Sequence, residues 1–112
     1  MLENNHLSVV NIQGIRGYID EKGRAWLNLE DVSKGLGFTR DKNGIKYVMW
    51  DRLQHYLDDI GFSTQVRKDL YIPEEIFYRL AMKANNEVAS DFQNKIATEI
   101  LPQLRKTGIL NC

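Results

Sequence analysis

Three side chains with metal-binding chemistry recur in the middle of the chain: Asp51, His55 and Asp59. At positions i, i+4 and i+8 they share one face of a predicted helix, and carboxylates and imidazoles are common ligands of divalent cations. Three ligands on one straight helix cannot all converge on a single ion. The alternative is a solvated polar face opposite the apolar Leu53 and Leu57, so we expect no metal here.

Signatures of catalysis are missing from the sequence. It contains no Cys-x-x-Cys pair, no Gly-x-Ser-x-Gly elbow and no Gly-Lys-Ser/Thr phosphate loop. Gly35 and Gly37 begin a Gly-x-Gly pattern, but the third glycine of a dinucleotide-binding loop falls at Arg40. The carboxylate pairs Glu30-Asp31 and Glu74-Glu75 stand at predicted helix starts, where the helix dipole accounts for them. The sequence therefore predicts neither an enzyme nor a cofactor.

A second group of side chains is cationic. The stretch from residue 34 to residue 46 carries four cations and one carboxylate, a local charge of +3. These charged residues are Lys34, Arg40, Asp41, Lys42 and Lys46. Between them, Asn43-Gly44 favours a tight turn with positive φ at both positions, so a hairpin would project the charge.

Nucleic-acid binding is one interpretation of this hairpin. Its cations would contact phosphates, which position a protein on DNA, and Thr39 and Asn43 would add hydrogen bonds to bases or backbone. Arg105 and Lys106 form a second candidate patch for phosphates. The alternative is that the charges only keep an exposed strand edge soluble.

The whole chain sets further bounds. Its 112 residues suit one domain with one core, and its 15 basic residues balance its 15 acidic ones. Zero net charge argues against a strongly basic nucleic-acid-binding domain but does not exclude one, because the distribution of charge matters more than its sum. We find no signal peptide and no apolar run of the ~20 residues that a membrane helix needs. Cys112 is the only cysteine, which agrees with a reducing cytoplasm.

Short strands and helices alternate in the first two thirds of the chain. Alternation and β-branching predict a strand that begins over Leu7–Ile12 and a hairpin of residues 15–19 with residues 24–27. We expect Trp26 to anchor the core. Asn28 predicts the start of a helix over Leu29–Gly35, which Gly37 stops.

The middle of the chain continues this alternation. Residues 38–40 and 45–49 predict the two arms of the cationic hairpin, and a helix follows from Trp50 to Gly61. Short strands are predicted over Phe62–Val66 and Leu70–Ile72. The sequence as a whole predicts an α+β class, a single compact domain in which a small antiparallel N-terminal sheet packs against several helices.

The last third of the chain predicts two helices separated by Asn85-Asn86. Pro73 suits the first turn of the first helix. The second helix places six apolar residues on one face. They are Val88, Ala89, Phe92, Ile96, Ile100 and Leu104. Pro102 should kink or break this helix near Leu101, and Gly108 should end it.

A family resemblance rests on several short matches in this region. They are Ile72-Pro73-Glu74, Phe77-Tyr78-Arg79-Leu80, Phe92-Gln93, Glu99-Ile100-Leu101-Pro102 and Arg105-Lys106-Thr107-Gly108. An upstream match comprises Trp26, Asp31-Val32 and Leu36-Gly37-Phe38. Together they resemble the Bro N-terminal domain of phage and prophage antirepressors and baculovirus Bro proteins, over roughly residues 8–108. The family often has tryptophan where this chain has Lys95, which weakens the likeness locally.

The resemblance implies a non-enzymatic regulatory domain in transcriptional control of the lysogeny–lysis switch, acting in the cytoplasm of a bacterial host. Such domains are regarded as DNA-binding, which supports a double-stranded DNA partner. Antirepressors of this kind also inactivate a phage repressor by binding it, often as homo-oligomers, so protein interaction is the alternative. The chain, residues 1–112, is then expected to be the N-terminal module of a longer antirepressor.

Overall fold

The computed structural model describes the backbone of residues 8–110 and the side chains of residues 8–107. The strands are β1 (Val10–Ile12), β2 (Ile15–Ile19), β3 (Ala25–Asn28), β4 (Thr39–Lys42), β5 (Ile45–Val48) and β6 (Tyr71–Pro73). The helices are α1 (Leu29–Leu36), α2 (Trp50–Asp59), α3 (Glu74–Ala81), α4 (Glu87–Lys95) and α5 (Leu101–Leu110), and a π-helical turn (Ile96–Ile100) joins the last two. The predicted α+β class is confirmed.

The first three strands and β6 form an antiparallel sheet in the order β1-β2-β3-β6. The predicted hairpin of residues 15–19 with 24–27 is its β2–β3 pair. One face of the sheet is apolar, and Leu27 and Ile72 pair on it without exposure to solvent. Gly17 lies beside Leu104 of α5, whose Cδ2 would be 3.1 Å from a Cβ at this position. The core therefore lies between this face and the helices.

The expectation that Trp26 anchors the core is wrong. Side chains alternate across a strand, and since the buried Ala25 and Leu27 face the helices, Trp26 must point to the other face. There its ring lies parallel to that of Tyr18 at 6.1 Å between centroids, and its Nε1 donates a hydrogen bond to Asp20 at 2.9 Å. Trp26 is a half-buried surface residue.

Helix α1 begins at the predicted residue and ends one residue later than predicted. The Asn28 side chain accepts a hydrogen bond from the Asp31 backbone N–H at 3.1 Å, and Gly37 follows the helix with φ of 87°. Glycine adopts this left-handed conformation at no steric cost, so the helix ends at Leu36.

The predicted strand over Phe62–Val66 is wrong, because these residues have no regular structure. The Gln54 side chain of α2 takes the place of a neighbouring strand. Its Nε2 donates to the carbonyl oxygen of Thr64 at 2.8 Å, and its Oε1 accepts from the Val66 N–H at 3.1 Å. The other predicted strand, Leu70–Ile72, forms one residue later as β6, with Pro73 acceptable because β6 is an edge strand.

The C-terminal helices differ from the prediction in their caps and in which residues are buried. Pro73 precedes α3 as its N-cap instead of lying in its first turn, and Asn86 caps α4 by accepting from the Ala89 N–H at 2.8 Å. Val88, predicted on the buried face, is 64% exposed. Phe92 is half-buried, and the remaining four members of the predicted stripe are buried.

Pro102 changes the last helix without breaking it. The residues before it, Ile96–Ile100, form a π-helical turn, and α5 continues from there. A π turn shifts the hydrogen bonding by one residue and is a known way to accommodate a disturbed helix. The predicted end at Gly108 is also wrong, since α5 runs to Leu110.

Candidate nucleic-acid interface

The cationic stretch folds into a two-stranded hairpin separate from the main sheet. Strands β4 and β5 pair antiparallel with Lys42 opposite Ile45 next to the turn. Asn43 and Gly44 have φ of 54° and 80°, so the predicted turn with two positive φ angles is confirmed. Such turns match the natural twist of the strands they connect.

The base of the hairpin is attached to the core. Phe38 is buried, its N–H donates to the Ser33 carbonyl oxygen of α1 at 2.9 Å, and its own carbonyl oxygen accepts from Met49 N–H at 3.0 Å. Val48 packs against the core from the same end. Two-stranded hairpins are only marginally stable alone, so these contacts hold the ribbon in place while its tip stays in solvent.

Strand alternation divides the hairpin into two faces. We call the side that carries Arg40, Lys42, Ile45 and Tyr47 the open face, since all four side chains are exposed. We call the side that carries Thr39, Asp41, Lys46 and Val48 the inner face. Thr39 and Val48 are half-buried at the base of the hairpin, whereas Asp41 and Lys46 are exposed towards the tip.

The two faces differ in charge. The open face has two cations and no carboxylate, which gives +2, whereas Asp41 stands directly opposite Lys46 on the inner face, which gives zero. Within residues 8–107, neither Arg40 nor Lys42 takes part in an ion pair. Among the described residues, the open face therefore presents positive charge that forms no ion pair with a carboxylate.

Two apolar side chains accompany these cations. Ile45 is 55% exposed and Tyr47 is 50% exposed, and with Arg40, Lys42 and Asn43 they line one shallow depression. Sequence reasoning did not include Ile45 and Tyr47 in the candidate site. Alternation counted outward from the Asn43-Gly44 turn would have placed both beside Arg40 and Lys42.

The other candidate residues lie elsewhere. Lys34 is on α1, where its Nζ lies 3.5 Å from Glu30. Arg105 on α5 forms an ion pair with Glu74. Lys106 is exposed on the same helix. Of the eight predicted residues, the structure brings Arg40, Lys42 and Asn43 together on one surface, and Thr39 and Lys46 point to the opposite side of the hairpin. Contact of any of them with DNA stays a prediction.

A further polar cluster escaped sequence reasoning and is structural. Arg16 in β2 donates from Nε and a terminal nitrogen to both carboxylate oxygens of Asp31, at 2.9 and 3.0 Å, and to the Asn28 side chain at 3.1 Å. The bidentate hydrogen bonds raise the pKa of Arg16 above its ordinary value. Because this guanidinium fixes α1 to the sheet, it is not available for a phosphate.

The side chains considered for metal binding lie on the solvent side of α2. Asp51, His55 and Asp59 are exposed, and an Asp59 oxygen is 3.5 Å from Lys83 Nζ. In the part of the chain that the structure describes, no three His, Cys, Asp or Glu side chains are grouped in a way that would hold a metal ion.

A second exposed surface lies at the corner between α3 and α4, which we call the helical corner. Met82 is 76% exposed there and Val88 is 64% exposed. Tyr78 of α3 is instead half-buried against Phe77. The nearby exposed side chains Glu87 and Asp91 are acidic.

Comparison with known proteins identifies a family for this chain. The model of the BRO family, N-terminal domain, matches residues 14–102. An uncharacterized protein of Haemophilus influenzae is 29% identical over 101 residues, which cover 84% of this chain and 46% of that protein. The chain thus spans about half the length of this relative. No solved structure matches, and no helix among residues 8–110 is long and apolar enough to cross a membrane.

Proposed function

Because the chain belongs to the BRO family as a copy of its N-terminal domain, a regulatory and non-catalytic domain type of phages and prophages, we propose that it binds double-stranded DNA. In this proposal the domain is part of an antirepressor that controls transcription at the lysogeny–lysis switch. It acts in the cytoplasm of the bacterial host. Contact is made by the open face of the β4–β5 hairpin.

The observation that carries this proposal is the uncompensated charge of the open face. Arg40 and Lys42 lie on the same side of an exposed ribbon, with no carboxylate on that side and no ion pair within the described residues. A two-stranded ribbon has the right size for the DNA major groove, which is about 12 Å wide. Exposed cations on such a ribbon release counterions from phosphates, which provides affinity.

The test is a titration of labelled duplex at several salt concentrations. Each lost phosphate contact lowers the slope of log affinity against log salt by ~0.9. We expect Arg40→Ala with Lys42→Ala to flatten the slope by roughly two units, since two contacts disappear. The melting temperature should hardly change, because both side chains are exposed.

A matched control removes two exposed cations elsewhere, with Lys22→Ala and Lys68→Ala. This variant has the same net charge as the hairpin variant, so a purely nonspecific charge effect would flatten both slopes equally. Equal salt slopes for wild type and the hairpin variant would show that the open face does not contact DNA phosphates. Arg105→Ala is expected to change the slope less, because Glu74 already neutralises that guanidinium.

The helical corner supports a second candidate, in which the domain binds a phage repressor or another copy of itself. Exposed Met82 and Val88 are suited to an apolar contact, and Glu87 and Asp91 would repel phosphates. Met82→Ser with Val88→Ser should then weaken capture of a purified repressor, or self-association, by a margin that salt hardly changes. Unchanged capture and an unchanged oligomeric state would exclude the helical corner as a protein interface.

A further inference from the structure

We propose that Ile45 recognises the C5 methyl group of thymine in the major groove, so that the open face prefers duplexes with A·T base pairs. The inference rests on the proposed function, since it assigns a specificity to the same surface. It goes beyond it because phosphate contacts by Arg40 and Lys42 carry no sequence information.

Ile45 lies at the tip of the hairpin. Ile45 follows the turn directly, at the end of the ribbon farthest from the attachment at Phe38 and Met49. More than half of its side chain is exposed, at 55%. A ribbon that enters a groove tip first brings this residue near the base edges.

The two apolar residues of the open face each stand opposite a cation. Lys42 is the direct partner of Ile45 across the hairpin, and Tyr47 is the next residue on the same face, opposite Arg40. Directly opposed side chains have Cβ atoms about 5 Å apart. Ile45 and Tyr47 thus each stand beside a cation. The cations are long enough to reach phosphates, while the shorter apolar side chains stay over the bases.

The major groove of DNA offers an apolar group that an isoleucine side chain can contact. In the major groove thymine presents its C5 methyl group, an apolar feature that cytosine lacks, and apolar side chains contact it. The minor groove carries no such group. The Ile45 side chain has no hydrogen-bonding atom, so the methyl group is the base feature that it can select by burying apolar surface.

A simpler explanation is that isoleucine favours strand formation and that isolated exposed apolar residues are ordinary. The two explanations differ in what they require of the side chain. Strand propensity concerns the hairpin alone, whereas recognition of a methyl group predicts a response to the DNA base. The experiment therefore changes the DNA and the protein separately.

The probes are two short duplexes, one of alternating dA and dT and one of alternating dA and dU, which differ only in the C5 methyl group. Wild type should bind the thymine duplex more tightly by about fourfold for each methyl group it covers, the factor that one buried methylene provides. Ile45→Ser should remove this preference, and Ile45→Val, which keeps a branched apolar side chain, should retain it. A dG-dC duplex should gain affinity when its cytosines carry a 5-methyl group.

The outcomes separate this inference from the proposed function. Equal binding of the dT and dU duplexes by wild type, together with weaker binding of both by the Arg40/Lys42 double variant, would overturn the inference and leave the function standing. A preference for thymine that survives in Ile45→Ser would also overturn it. Failure of wild type to bind either duplex at low salt would overturn both.

Discussion

Two hairpins of this molecule have turns with similar φ angles, but the residues that flank the turn are buried in one and exposed to solvent in the other. In the β1–β2 hairpin, Gln13 and Gly14 have φ of 53° and 92°, and in the β4–β5 hairpin, Asn43 and Gly44 have φ of 54° and 80°. Both turns have two residues, and each is closed by a pair that contains an isoleucine. The two turns therefore have closely similar φ angles.

Their side chains meet different surroundings. The closing pair of the first hairpin, Ile12 and Ile15, is 8% exposed at both positions and belongs to the core. The closing pair of the second, Lys42 and Ile45, is exposed. Turn chemistry therefore determines that a hairpin forms, and the covering helices determine whether it supports the core or is free to bind a partner.

The largest expected difference comes from shortening the two isoleucines. Ile15→Ala should lower the free energy of unfolding by about 2–5 kcal/mol, because it leaves a cavity in the core. Ile45→Ala should cost less than about 0.5 kcal/mol, since its side chain is exposed. Urea denaturation of both variants measures the difference. Similar losses would mean that the open face is covered in solution.

The next effect concerns the attachment of α1, which carries the base of the second hairpin. A Cβ at Gly35 would lie 2.2 Å from the Phe92 ring of α4. Gly35→Ala should therefore cost about 1–3 kcal/mol by overpacking, although alanine is the better helix former. Adding Phe92→Leu should restore part of this loss, which a double-mutant cycle of unfolding free energies measures. Strict additivity of the two changes would contradict the contact.

Smaller effects are expected at the turn glycines. A Cβ on Gly14 or Gly44 meets nothing within 4 Å, so substitution by alanine acts only through the positive φ, at about 1–2 kcal/mol. Gly14→Ala should lower global stability by this amount, because its hairpin is part of the core. Gly44→Ala should mainly increase hydrogen exchange of amides 39–48, with global stability nearly unchanged. Equal global losses would show that the second hairpin unfolds only with the whole domain.

The smallest effect is expected at Ser33, whose carbonyl oxygen holds the base of the second hairpin. Its Oγ is buried and has no hydrogen-bond partner among the residues that the structure describes. Ser33→Ala should leave the domain as stable or stabilise it by up to about 1 kcal/mol. Asn28, equally buried but fully engaged as a cap, is the control, and Asn28→Ala should cost about 1–2 kcal/mol. A clear loss of thermal stability in Ser33→Ala would indicate that the hydroxyl has a partner.

Local features followed from the sequence because they depend on neighbours along the chain. The Asn28 cap, the stop at Gly37, the cap at Asn86 and the Asn43-Gly44 turn are each specified by one or two residues whose backbone preferences are strong. The sequence likewise identified the hairpin as the place where cations concentrate.

Partners distant in the sequence decided the rest. The pairing of Arg105 with Glu74, the hydrogen bonds of Gln54 to residues 64–66 and the place of Trp26 outside the core depend on which elements meet in space. The same holds for the candidate site. Charge along the chain suggested one cluster of cations, but the strand register separates Arg40 and Lys42 from Lys46, because successive side chains of a strand point to opposite faces.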